Sequence, residues 1–121
     1  MIRATWGPGI AVSENDRVIP GATGRAWRPN PAYKMFKEGM AWAILPFIKG
    51  VQFRGRMSVT LRVDLPPRMD TMACIKAACD AVELAGAIEN DGQIDRLTVE
   101  RVGRSPRGQS VIDFEIEEVR R

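Results

Sequence analysis

The residues best suited to chemistry lie between Arg68 and Asp91. Asp70 stands where one apolar segment has just ended and another is about to begin, and Asp91 follows twenty-one positions later. Lys76, Asp80 and Glu83 fall between them at i, i+4 and i+7, and so share one face of a helix. Hard carboxylate oxygens beside an ammonium group are what a Mg²⁺-dependent phosphodiesterase requires. The carboxylates hold the cation, the cation polarises a phosphoryl oxygen and generates hydroxide, and the lysine neutralises the developing charge. The same residues have a plainer structural use. Asp70 is a natural helix N-cap, and Lys76–Asp80 is an i,i+4 surface pair contributing a few tenths of a kcal/mol. Scattered carboxylates are common in a chain that is 27% charged, so residue types alone favour the structural use.

Other chemistries are excluded. The chain has no histidine, which removes Ser-His-Asp and Cys-His nucleophiles, histidine bases and almost every catalytic zinc site. Its two cysteines, Cys74 and Cys79, point about 140° apart on a helix that turns roughly 100° per residue. They are expected to be small core residues, neither paired nor sharing a metal.

The positioning elements follow from pattern. With 121 residues, 45% of them apolar, the chain is expected to form one domain over 1–121. Its best apolar run, Ala41–Ile48, is broken by Pro46 and falls far short of the roughly 20 residues that span a bilayer. The opening Met1–Thr5 lacks a signal-peptide apolar segment, and a cytosolic protein is expected.

Ile2–Trp6 reads as a strand ended by the turn Gly7-Pro8-Gly9. Residues 11–29 have no period and read as a long basic loop, a length that usually carries function. Asn30-Pro31 opens a helix whose inner face is Tyr33, Phe36, Met40 and Ala43/Ile44, and Pro46 ends it. Met57–Leu65 alternates as a half-buried strand. A second helix is expected from Thr71 to Ala85, capped by Asp70 or Thr71 and closed by Gly86, with Met72, Ile75, Cys79 and Val82 inward. Ile94–Val102 and Ser110–Val119 read as strands joined in a basic hairpin by Gly103–Gly108. The predicted fold is α+β: two layers, a mixed sheet with two main helices packed on it. The second helix would span roughly 22 Å, so Asp70 and Asp91 meet only if the loop after Gly86 folds back along it.

Charge is divided along the chain. Residues 1–68 carry eleven Lys/Arg against four Asp/Glu, and residues 69–121 carry seven against eleven. A basic half joined to an acidic half suits a protein that holds a polyanion beside a cation-binding cluster; an unevenly charged solvated surface is the alternative. The candidate phosphate contacts are Arg17, Arg25, Arg28, Lys34, Lys37 and Arg68, with Arg54 and Arg56 beside the central strand. Trp27, among them, either stacks on an unpaired base or covers the core edge.

The stretch Asp70-Thr71-Met72-Ala73-Cys74-Ile75-Lys76, followed by Asp80-Ala81-Val82, Gly86 and Asn90-Asp91-Gly92-Gln93-Ile94, resembles the signature of RusA-type Holliday junction resolvases. That pattern runs Asp-x-Asp-Asn-x-x-Lys, Asp-Ala-Leu, Gly and Asp-Asp-x-Gln-Val/Ile. The outer segments are similar too: the opening strand, Asn30–Lys34 in the first helix, Val59–Asp64 and the last strands. The resemblance implies a RusA-like fold and a homodimer that binds four-way DNA junctions and nicks two strands with Mg²⁺ or Mn²⁺ in recombination or repair. It implies Asp70, Lys76 and Asp91 as catalytic residues, Asp70 and Asp91 as metal ligands with Asn90 and Glu89 as further oxygen donors, and Asp80 in support. Met72, Ala73 and Asn90 depart from it, standing in place of an aspartate, an asparagine and an aspartate. A thioether is a poor ligand for a hard cation, so a relative that binds branched DNA without cutting it is the second expectation. A small structural or protein-binding domain with no nucleic-acid role is the third.

Overall fold

Val59, Leu61 and Val63 alternate with Thr60, Arg62 and Asp64, and every inward member of the alternation is buried. The computed structural model describes residues 1–21, 26–50 and 52–119. Its elements are β1 (Ile2–Gly9), β2 (Val18–Pro20), β3 (Trp27–Pro29), α1 (Pro31–Ile44), β4 (Met57–Asp64), α2 (Ile75–Leu84), β5 (Ile94–Gly103) and β6 (Ser110–Glu118). The main sheet has the order β1-β6-β4-β5. β6 is antiparallel to both neighbours and β4 is parallel to β5, so the α+β mixed sheet with two helices is as expected.

The expected hairpin does not form. β6 leaves β5 and inserts between β1 and β4. Burial gives the reason: Ile112, Phe114 and Ile116 of β6 are fully buried, whereas most of β5 is exposed. The two strands able to bury a whole face take the centre, and the more polar β5 goes to the edge.

Three further boundaries differ from pattern. β1 runs on through Gly7-Pro8-Gly9 with a break in register, which an edge strand tolerates because Pro8 has no ladder bond to lose. The segment expected as a loop holds a single helical turn (Glu14–Asp16) and the β2–β3 ribbon. α2 starts at Ile75 rather than Thr71, because Asp70 closes a turn of its own. Its Oδ1 accepts from the Met72 N–H (2.9 Å) and its carbonyl accepts from the Ala73 N–H (3.0 Å). The inner face of α2 is therefore Ala77, Ala78, Cys79, Ala81 and Val82, while Met72 is 59% exposed. α1 matches expectation: Asn30 Oδ1 accepts from the Ala32 N–H (3.0 Å), and Tyr33, Phe36, Met40 and Ile44 are buried.

One buried cluster joins both helices to β1, β4 and β6. Each large side chain fully buried there contributes about 1.5–3 kcal/mol. The opposite face of the sheet is polar: Arg62 bonds Glu115 at 2.8 Å and lies 3.7 Å from Glu100, and Arg3 lies 3.8 Å from Glu115.

Arg101 fixes the segment that leads into α2. Its guanidinium donates to the carbonyls of Met69 (2.6 Å), Pro66 (2.7 Å), Leu65 (3.0 Å) and Gly103 (3.3 Å). Charge-assisted bonds of this kind are among the stronger hydrogen bonds. Arg101→Met is expected to cost about 2 kcal/mol or more in denaturant unfolding and to speed amide exchange at residues 65–73. Unchanged stability and exchange would refute the clamp.

Candidate functional site

α2 ends at Gly86, whose φ of +87° only glycine adopts without strain. The N–H groups of Gly86 and Ala87 donate to the carbonyls of Glu83 (2.9 Å) and Val82 (3.3 Å) and reverse the chain. Phe53 N–H then donates to Ala87 carbonyl at 2.8 Å. Gln93 fixes the rest of the loop. Its Oε1 accepts from the N–H groups of Glu89 (2.8 Å) and Asn90 (3.1 Å), and its Nε2 donates to the carbonyls of Gly55 (2.9 Å) and Phe53 (3.0 Å). Asn90 caps the turn Asp91–Gln93 through its own Oδ1, 2.7 Å from Gly92 N. Asp91 N–H donates to Glu83 Oε1 at 3.0 Å.

These bonds carry Asp91 back to the polar face of α2. Lys76 Nζ donates to Asp80 Oδ1 at 3.1 Å and lies 3.5 Å from Asp91 Oδ2. The hydrogen bond and charge of Asp80, with a smaller contribution from Asp91, raise the Lys76 pKa, so the ammonium is fully protonated at neutral pH. Lys76, Asp80 and Asp91 thus come together, around an exposed cation held by two carboxylates.

Asp70 does not join them. It lines a cleft of about 800 Å³ with Asp16, Asn30, Arg68 and Arg107. Asp91 lines a second cleft, about 400 Å³, with Lys76, Cys79, Ile94 and Leu97. Exposed Met72 stands on the wall of both, so it is not packed into a dry interior. Asn90, expected as an oxygen donor, spends its side-chain oxygen on the cap, and Glu89 is exposed. Among the described residues no three His, Cys, Asp or Glu side chains converge. The donors present are nonetheless hard oxygens. Mg²⁺ is commonly held by one or two carboxylates plus substrate phosphate oxygens, and Asp91 beside Lys76 fits that use.

Glu14 is the residue the sequence reading missed. It lines both clefts, accepts from Tyr33 Oη at 2.8 Å and lies 3.3 Å from Arg17. Its N–H donates to Ala73 carbonyl at 2.9 Å, which ties the first loop to the Asp70 turn. A lone carboxylate has no period to mark it; the available signal was Ser13, a cap residue followed by acidic Glu14 and Asp16 in the turn it opens.

The expected phosphate contacts occupy several elements. Trp27 is 71% exposed on β3 beside exposed Arg28, so it does not cover the core edge. Arg17 is exposed and held by Glu14, Lys34 lies 3.8 Å from Glu38, and Lys37 is half-buried. Arg68 faces the large cleft, joined there by Arg107, which sequence reading also passed over. Arg54 is exposed, and Arg56 lies 3.4 Å from Asp95. Arg25 lies outside the described residues.

No protein-family model matches the sequence, and a comparison with curated proteins finds no match. No helix among the described residues is long and apolar enough to cross a membrane.

Cys74 and Cys79 are free and buried, as expected. Burial pushes the Cys79 thiol up to about 11, with the Asp80 and Asp91 charges adding to it, and burial with Glu14 pushes Cys74 up to about 12. Burial and the bond to Glu14 also raise the Tyr33 phenol. All three groups hold their protons longer in the folded chain than in the unfolded one. Stability is therefore full below about pH 8 and falls as pH climbs past the unfolded values, roughly 8.5 for thiols and 10 for tyrosine. Tyr33 is the sole tyrosine, so phenolate absorbance reports on it alone. Its ionisation is expected to coincide with loss of the circular-dichroism signal; a phenolate formed near pH 10 with the fold intact would refute this.

Proposed function

We propose that this chain is a RusA-like nuclease that binds four-way DNA junctions and cuts them with Mg²⁺ or Mn²⁺. The observation that supports this most is the return of Asp91 to Lys76, which joins the two halves of the resolvase-like signature at one exposed place. Lys76, kept charged by Asp80, would lie against a scissile phosphate and stabilise the charge that grows on its oxygens. Asp91 is the ligand proposed for the cation, completed by an oxygen of the DNA phosphate, while Asp70 stands with Arg68 and Arg107 in the neighbouring cleft. Bound there, the cation would supply Lewis-acid polarisation of the phosphodiester. Arg68 and Arg107 beside Asp70, with Arg17, Arg28, Lys34 and Lys37, are proposed to contact flanking phosphates, and exposed Trp27 to stack on an unpaired base. A two-fold homodimer would present two equivalent sites to two equivalent strands.

A second reading, binding without cutting, is favoured by the turn at Asp70. One of that residue's carboxylate oxygens is occupied by Met72 N–H, and an exposed thioether stands where the resolvase pattern has an acid.

Nicking of a synthetic four-way junction decides between the readings. Wild type is expected to nick it in Mg²⁺ or Mn²⁺, with Asp91→Asn and Lys76→Met slower by roughly 100-fold or more. Met72→Asp is expected to raise the rate. Junction binding that weakens steeply with salt, with no nicking in either metal, selects the second reading. Absence of binding at low salt overturns both.

A further inference from the structure

The cleft of about 800 Å³ beside Asp70 opens where three segments meet: the first loop, the turn at Asp70 and the connection from β5 to β6. That volume falls within the roughly 300–1,000 Å³ of small-molecule sites. Two arginines reach it from different segments, Arg68 from the stretch after β4 and Arg107 from the loop before β6. Both are exposed, and neither forms an ion pair among the described residues, whereas Arg17, Arg56, Arg62 and Lys76 are each held by a carboxylate. Exposed Ile10 and Met72, with half-buried Ile19 and Met69, give the same cleft an apolar lining. Asp70 adds an acceptor. Its Oδ1 takes the Met72 N–H, and its Oδ2 receives no donor among the described residues. We propose that this cleft binds one unstacked nucleotide of a DNA strand, with its phosphate on Arg68 and Arg107, its base on the apolar lining and an amino group of that base on Asp70.

The combination of groups selects the ligand class. A nucleotide carries a phosphate, which guanidinium groups bind through charge-assisted hydrogen bonds, and a flat base, whose faces leave water for apolar side chains. Phosphate alone leaves Ile10 and Met72 without a role, and an apolar ligand leaves both arginines without one. The carboxylate then discriminates among bases. Guanine, adenine and cytosine each have an exocyclic amino group to donate. Thymine has none, and its ring N–H lies between two carbonyl oxygens that a carboxylate repels. The other acids of the lining stand apart from the arginines. Glu14 is occupied by Tyr33 and Arg17, and Asp16 belongs to the first loop.

Met72 is on the wall shared with the cleft of Lys76 and Asp91, so a nucleotide held here adjoins the phosphate proposed for cutting. That placement rests on the nuclease reading; the cleft and its ligand do not.

Chemical-shift titration of the full chain with free 2′-deoxynucleoside 5′-monophosphates, at low salt and without divalent cation, tests the site. The guanine, adenine and cytosine nucleotides are expected to bind at roughly millimolar concentration, with the thymine nucleotide and inorganic phosphate about tenfold weaker. Arg68→Gln and Arg107→Gln are each expected to weaken all four nucleotides alike. Asp70→Asn, which keeps an acceptor for the Met72 N–H, is expected to bring the thymine nucleotide level with the cytosine one. Circular dichroism confirms that each variant is folded. No saturable binding, thymine bound as well as the other bases, or phosphate bound as well as the nucleotides overturns the proposal. Nucleotide binding without nicking of junctions counts against the nuclease reading alone, and nicking without nucleotide binding against the cleft alone.

Discussion

Parallel pairing of β4 with β5 is the constraint from which the site follows. Two neighbouring strands running the same way cannot be joined by a tight turn, so the chain must travel back along the sheet, and α2 makes that journey. The start of α2 then belongs to one end of the strands and its finish to the other. Asp70 precedes the helix and Asp91 follows it, so topology alone sets them about 15 Å of helix apart. What crosses part of that distance is the long Lys76 side chain on one side and the loop returning from Gly86 on the other. Their meeting near Asp80 is thus the work of several cooperating bonds, with Gln93 at the centre of them.

The same constraint explains why the acidic residues form two sets. The cleft of Asp70 is bounded by the Arg101-clamped segment and the first loop, and the cleft of Asp91 by α2 and β5. Glu14 touches both, and its bonds to Tyr33 and Ala73 make the first loop a wall shared between them. An added carboxylate at position 72 would stand where the two clefts meet, which is where the resolvase pattern has its second aspartate.

What the sequence made legible were features with local causes. The period-two alternation of β4, the Asn30-Pro31 start of α1 and the glycine that closes α2 each follow from the chemistry of a few neighbouring residues. The fold-back of Asp91 was recognisable as a requirement but not as a fact, because the bonds that secure it reach from Gln93 to Phe53 and Gly55, some forty positions away. Strand order was hidden for the same reason: β6 displaces β5 through burial against β1 and β4, a comparison that no local window contains. The late start of α2 reflects two local preferences in competition. Asp70 is as content closing a turn as capping a helix, and the contact between Ala73 and the first loop tips the balance.

The alanine face of α2 has a consequence of its own. Ala77, Ala78 and Ala81 are wholly enclosed and have no rotamers to exchange, so the helix sits on its support by backbone shape rather than by adaptable side chains. Such a seat has little tolerance for rocking or axial slip. A group projecting from the far side, as Lys76 does, inherits that rigidity at its root, and its remaining freedom lies in its own four-carbon stem.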